Sequence, residues 1–295
     1  MLEGCRLCPR ECGVNRKVTS GYCNGTDKIR VARAALHFWE EPCISGQCGS
    51  GTVFFSGCNL KCCYCQNYDI SHNGFGKDIS VKHLGEIFLE LQEKGAANIN
   101  LVTPTHYVDK IINVLDNINR DLTIPVVYNT GGYESLETVK RLSGYVDIFL
   151  HDIKYYSDDR AIRYSNATDY FNKSTSALCE MIKQVGKPVY DDRGLMKKGV
   201  IIRHLVLPGG VSDSINILEW IANNLNRNEY VISLMSQYTP CYKSFEHKEI
   251  NRRLTTYEYN RVLDRAIELG LDNGYMQERT SANKEYIPPF DLEGI

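Results

Sequence analysis

The chain is predicted to be an α/β protein built on a parallel sheet or partial barrel, with a cysteine-rich N-terminal extension. Three observations lead there. Between residues 51 and 240, six short β-branched runs alternate with amphipathic helical patterns, the order of a parallel sheet with helical crossovers. The 295 residues suit an α/β barrel, a class that reaches ~250 residues as one unit. Most of the twelve cysteines crowd into the first 65 residues, ahead of and just after the first strand. The composition divides accordingly into a cysteine-rich arm (1–50), a barrel core (51–240) and a C-terminal helix, edge strand and tail (241–295).

The elements follow from their periodicities. Thr52–Ser56 reads as a buried strand that delivers the chain to Cys58. Ser80–Lys94 places Leu84, Ile87, Phe88 and Leu91 on one helical face. Asn98–Val102, Pro125–Asn129, Val146–His151, Val200–Leu207 and Tyr230–Met235 are the next strands. Helices over Tyr107–Ile118, Glu134–Ser143, Ser174–Val185 and Ser214–Asn224 separate them. Cys179 shares the third of these with Leu178, Met181 and Ile182 and is expected in the core. Thr255–Leu269 reads as a helix capped by Thr256, with Tyr259, Val262, Leu263, Ala266 and Ile267 on one side. Leu271–Glu278 could pair with the open sheet edge, and Pro288-Pro289 opens what reads as a surface tail.

A formal charge of −2 argues against general affinity for nucleic acid or acidic membranes, which need a basic excess. No apolar run has signal-peptide or membrane-span length, so a cytoplasmic protein is expected. There, thiols stay reduced, and clustered cysteines point to metal ligation rather than disulfides.

Chemistry in parallel α/β folds gathers at the C-terminal ends of strands. Just past the first strand, Cys58, Cys62 and Cys65 are spaced by three and then two residues. A loop with that spacing can wrap three corners of an iron–sulfur cubane, and three thiolates for four irons leave one iron open. The alternative is a zinc loop or unliganded thiols. Cys63 is the odd thiol and reads as a bystander.

This stretch resembles the signature of the radical S-adenosylmethionine (SAM) superfamily, CxxxCxΦC with Φ aromatic, here Cys58, Cys62, Tyr64 and Cys65. More of the chain is similar to the branch of the pyruvate formate-lyase activating enzyme: residues 34–43 and 49–58, Cys65-Gln-Asn, residues 98–106, Asp152-Ile-Lys154, residues 203–209, residues 235–240 and Asn273-Gly-Tyr-Met-Gln277. The resemblance implies a partial (β/α)6 TIM-like barrel. It also implies a [4Fe-4S] cluster whose open iron is chelated by SAM, with Tyr64 near the adenine. Reductive SAM cleavage would give a 5′-deoxyadenosyl radical that abstracts hydrogen from a substrate. A flavodoxin- or ferredoxin-type protein would donate the electron. The substrate would be a protein or peptide, as for a glycyl-radical activase. A maturase or small-molecule modifying enzyme is the alternative within that chemistry, and a zinc-thiolate scaffold is the alternative outside it.

Strand ends supply the expected SAM contacts. Thr103 and Thr105 end the second strand where many superfamily members carry Gly-Gly-Glu; their hydroxyls and carbonyls can accept from an ammonium. Asn129 ends the third strand before two glycines. Asp152 and Lys154 stand two apart and share one face; the resemblance assigns Lys154 to the SAM carboxylate and Asp152 to the sugar or amine. Arg203, on the fifth strand, needs an anion in a buried setting, and the SAM carboxylate is the expected one. Gln237 follows the sixth strand into the same cavity.

In the arm, Cys5, Cys8, Cys12 and Cys23 provide four more thiolates. They suit structural zinc or a second iron–sulfur cluster equally, and an arm so poor in apolar residues needs such a staple to order.

Overall fold

The computed structural model describes residues 4–277 and 288–295. Its strands are β1 (Ile29–His37), β2 (Ser50–Phe55), β3 (Lys77–Ile79), β4 (Ile99–Val102), β5 (Val126–Thr130), β6 (Ile148–Asp152), β7 (Val189–Tyr190), β8 (Met196–Leu205), β9 (Val231–Met235) and β10 (Gly274–Met276). Along the main sheet the order is β10-β9-β8-β6-β5-β4-β2-β1-β3, with β7 paired to β8 outside that path. β2, β4, β5, β6, β8, β9 and β10 run parallel. The sheet is an open path rather than a ring, so the partial barrel expected from the sequence is the fold observed. β10 adds to the open edge as expected; Glu278, the predicted end of that strand, lies outside the described residues.

The helices are α1 (Pro42–Ser45), α2 (Tyr68–Ser71), α3 (Val81–Glu93), α4 (Val108–Ile118), α5 (Leu136–Arg141), α6 (Asp158–Ser165), α7 (Tyr170–Val185), α8 (Val211–Asn224) and α9 (Thr256–Glu268). Ser80 caps α3 by accepting from the His83 amide at 3.0 Å. That cap satisfies one of the donors a helix start leaves free. The four apolar residues expected on α3 are all buried. They join Val53, Phe55, Leu101 and Phe149 from the outer face of the sheet in one core, and each such side chain contributes about 1.5–3 kcal/mol.

Side chains alternate across each strand. The opposite parity therefore sends Asn100, Asn129, Asp152 and Arg203 to the inner face. Lower in the barrel that face is filled by Val127, Ile148, Leu150 and Ile201 against Cys43 and Ile44 of α1. The apolar plug leaves only the upper end open for chemistry.

Several local expectations are corrected. The arm, for which no strand was expected, contains the nine-residue β1, antiparallel to β2. α6 and the β7–β8 hairpin occupy the connection before the fifth predicted strand. α9 is capped by Thr255 rather than Thr256, through a capping box in which the Thr255 hydroxyl and the Glu258 carboxylate bond each other's backbone amides. Ile267 is exposed. Cys179 is exposed as well, because one step of about 100° carries it off the face of Leu178. The described part of the tail lies on the surface as expected, and it is docked there: Leu292 donates to Ala32 O at 3.1 Å, Ala34 donates to Glu293 O at 2.8 Å, and Phe290 packs edge-on against Phe54.

Candidate functional site

β2 hands the chain to a loop that is held from both sides. Gly57 has φ +89°, and a β-carbon there would lie 2.3 Å from the Cys23 carbonyl oxygen, so only glycine fits. That same oxygen accepts from the Cys58 amide at 3.1 Å. Further on, Lys61 and Cys63 donate to Ser165 O and Tyr164 O at the end of α6. The loop is thereby fixed before any ligand arrives.

Within it, each of the three expected thiols has a hydrogen-bond partner. The Leu60 amide points at Cys58 Sγ (3.4 Å), the Ser165 hydroxyl donates to Cys62 Sγ (2.9 Å), and Ser71 Oγ lies 3.2 Å from Cys65 Sγ. Tyr64 and Tyr155 share a 2.6 Å hydrogen bond, and Tyr155 meets Ser165 at 2.6 Å, so a chain of hydroxyls runs from the aromatic of the motif to a thiol. Cys63 does not take part. It is buried among Leu60, Tyr64 and Tyr238, as a bystander should be.

Burial pushes the Cys65 thiol up to about 12 and moves Cys58 and Cys62 in the same direction. Left alone they would be protonated and inert. A positively charged iron centre reverses that preference and holds them as thiolates. Among the described residues no three His, Cys, Asp or Glu side chains are drawn in to the spacing of a single metal ion. A [4Fe-4S] cubane takes three such thiolates at three of its corners.

Cys62, Tyr64 and Cys65 open into a cavity at the C-terminal ends of the parallel strands. Asn129, Asp152, Lys154, Arg203 and Gln237 line it too, so eight of the predicted residues meet in one place. Lys154 Nζ and Asp152 Oδ2 pair at 2.5 Å. Burial opposes the Lys154 charge, but Asp152 and Cys62 outweigh it and hold the ammonium above its ordinary value. A cation flanked by an anion and a thiol can receive an amino-acid headgroup by exchanging partners.

Three assignments change. Arg203 does meet an anion, but a protein one: its Nε donates to Glu41 (2.9 Å), one terminal nitrogen bonds both Glu40 and Glu41, and the other makes a weaker contact with Asn129 Oδ1 at 3.3 Å. Two carboxylates already neutralise the guanidinium, which leaves it no need of the SAM carboxylate. Asn129 lines the cavity with its amide engaged by Glu40 and Arg203.

Neither threonine lines the cavity. Thr103 adopts φ +58° at the strand end, a left-handed conformation uncommon for a β-branched residue. Thr105 is buried and donates to Glu134 at 2.5 Å. Burial pushes the Glu134 carboxyl up from an ordinary 4.5 to about 7, despite hydroxyls from Thr105, Thr130 and Tyr128. Between those values the folded chain holds a proton that the unfolded chain has lost. This stabilisation is full below about 4.5 and disappears as pH rises through about 7. Glu134→Gln is expected to flatten that part of a plot of urea midpoint against pH; an unaltered slope would mean that another group sets it.

The cavity also has walls that sequence patterns did not reveal. His37, Trp39 and Glu40 come from the arm, Gln66 and Asn67 follow the motif, and Pro288 comes from the tail. Gln66 and Asn67 had a signal in the Cys65-Gln-Asn stretch, and His37, Trp39 and Glu40 lie in the similar stretch 34–43; Pro288 had none. Cys5, Cys8, Cys12 and Cys23 do not line the cavity.

The radical SAM superfamily profile matches residues 52–221, more than half of the chain. The chain belongs to the radical SAM superfamily. It is 32% identical over 282 residues, covering 92% of this chain and 77% of the other, to the uncharacterized protein MJ0674 of Methanocaldococcus jannaschii. It is 22% identical over 217 residues to the pyruvate formate-lyase-activating enzyme of Clostridium pasteurianum, covering 70% of this chain and 82% of that one. Among solved radical SAM structures, the maturase HydG of Carboxydothermus hydrogenoformans superposes with a TM-score of 0.51 at 13% identity, over 74% of this chain and 50% of its own. SuiB of Streptococcus suis, solved with SAM, gives 0.50 at 14% identity over 79% and 51%. The chain thus spans about half the length of these structures, and at such identities they speak for the fold. As a radical SAM protein the chain is an enzyme that uses a [4Fe-4S] cluster and SAM. Among the described residues, no helix is long and apolar enough to cross a membrane.

Proposed function

We propose that this enzyme cleaves SAM reductively at a [4Fe-4S] cluster held by Cys58, Cys62 and Cys65, and that it abstracts hydrogen from a protein or peptide. One observation carries the reading: the cavity that Cys62 and Cys65 enter also holds the Asp152–Lys154 pair at 2.5 Å and the Tyr64 ring. A cluster held by these thiolates would supply the electron for reductive cleavage of a SAM sulfur–carbon bond, to methionine and a 5′-deoxyadenosyl radical.

The chain's own residues do the rest. Lys154 and Asp152 present a cation and an anion for the methionyl carboxylate and for the amine or ribose hydroxyls. Tyr64, fixed by Tyr155, offers an aromatic edge to the adenine, and Gln237 adds an amide at the same rim. Ser165, Ser71 and the Leu60 amide stabilise negative sulfur by donating to it. Phe54, Val102, Leu205 and Met235 give apolar walls that keep water from a reactive carbon radical.

A polypeptide substrate is supported by the open sheet, which leaves a side entrance, and by similarity to an activating enzyme whose name specifies a protein target. A flavodoxin- or ferredoxin-type donor would serve the cluster. Anaerobically reconstituted enzyme with dithionite and SAM is expected to form 5′-deoxyadenosine slowly. The macromolecular fraction of a cell extract should accelerate it several-fold, and protease treatment should abolish that stimulation. Acceleration that survives the protease would replace the polypeptide reading with a small-molecule one.

A further inference from the structure

The segment before β1 has no helix or strand among its described residues, yet it is tightly turned. Cys5 donates to Val14 O, Gly13 to Cys5 O and Glu11 to Cys8 O, each at 3.0 Å, and Asn24 donates to Gly21 O at 2.9 Å. These turns gather sulfur. A β-carbon built on Gly21 would stand 3.5 Å from Cys12 Sγ and equally 3.5 Å from Cys23 Sγ. The backbone pairs Cys5 with Gly13 and Val14, the two residues that follow Cys12.

The backbone adds a second, independent observation. In one of the four cysteines the amide two residues downstream points at the sulfur: Gly25 at Cys23 at 3.4 Å. Leu60 does the same at Cys58, also at 3.4 Å. Arg16 brings a guanidinium nitrogen to Cys23 Sγ at 3.4 Å. Amides aimed at a neutral thiol contribute little, whereas amides aimed at a thiolate form charge-assisted bonds. Both cysteine sets are thus turned for anionic sulfur. Four thiolates crowded together repel one another, and a metal cation relieves that repulsion. Binding in the arm would either close the turns about zinc or fill them with a cluster.

We propose that Cys5, Cys8, Cys12 and Cys23 form a second, closed four-thiolate metal centre, zinc or iron–sulfur, packed against the loop of the SAM-cleaving cluster. Its link to that loop is the hydrogen bond from the Cys58 amide to the Cys23 carbonyl, which joins a ligand of one centre to a ligand of the other.

The test uses the full chain with Cys58, Cys62 and Cys65 all changed to alanine, reconstituted anaerobically with iron, sulfide and zinc. The outcome is then independent of SAM cleavage. Elemental analysis with Mössbauer spectroscopy is expected to find one zinc, or the iron of one cluster, per chain; iron identifies a cluster and zinc a structural ion. Adding Cys8→Ser and Cys23→Ser should remove it. A folded variant that stays metal-free, or one that keeps its metal after both serine changes, would overturn the proposal. If the triple variant does not fold, the unmodified protein serves: metal beyond one cubane, lost on Cys8→Ser with Cys23→Ser, is expected, and a total of one cubane unaffected by those changes would overturn the proposal.

Discussion

Cys62→Ala is expected to bring 5′-deoxyadenosine formation down to the level of the enzyme-free control, while Cys63→Ala keeps most of the wild-type rate. The two residues are adjacent, so the contrast isolates direction rather than position. Cys62 Sγ faces the cavity and accepts from Ser165; Cys63 is buried on the other side against Tyr238 and Leu60. Removing one of three ligands leaves two thiolates, too few to hold a cubane whose remaining iron must stay free for substrate. Iron content should fall by one cubane in Cys62→Ala. Loss of both in Cys63→Ala instead, with Cys62→Ala active, would show that the loop is threaded differently.

Arg203→Met should unfold the protein at markedly lower denaturant, with a loss of about 3–5 kcal/mol, the usual consequence of removing one partner from a buried ion pair. Glu41 is the reason. Burial would push its carboxyl up, but Arg203 outweighs that and holds it below the ordinary carboxylate range. Without the guanidinium, Glu40 and Glu41 face each other in a dry site. The sign with pH follows: Arg203 stabilises the fold above the ordinary carboxylate range, and its advantage fades as acid protonates Glu41. Arg203→Met combined with Glu40→Gln and Glu41→Gln is expected to recover much of the loss. A cost below about 1 kcal/mol, the scale of an exposed pair, would return Arg203 to the role of awaiting a substrate anion.

That revision illustrates what a single sequence carries. The parallel strands and their crossover helices were legible because each buried run is rich in β-branched residues and each helix keeps its apolar spacing. The Cys58–Cys65 loop and the Asp152–Lys154 pair were legible because their members are near neighbours in the chain. β1 was not, since its register shifts between Val31 and Arg33 and a bulge of that kind breaks the alternation by which a strand is recognised. Glu40 and Glu41 lie in the similar stretch 34–43, where nothing local assigns them a partner. Only the fold brings Arg203 to them across more than 160 positions. Thr105 looked available for a ligand because nothing local reveals Glu134 beneath it.

Glu40 has a wider consequence. Its carboxylate accepts from Asn100 on β4, Asn129 on β5 and Arg203 on β8, a reach of four adjacent strands. A closed barrel fixes its curvature by a complete ring of backbone bonds, and an unclosed one cannot. Here one side chain from outside those strands acts as a keystone for the arch. The bend of the arch, and so the distance between groups at opposite rims, rests in part on that single acidic residue.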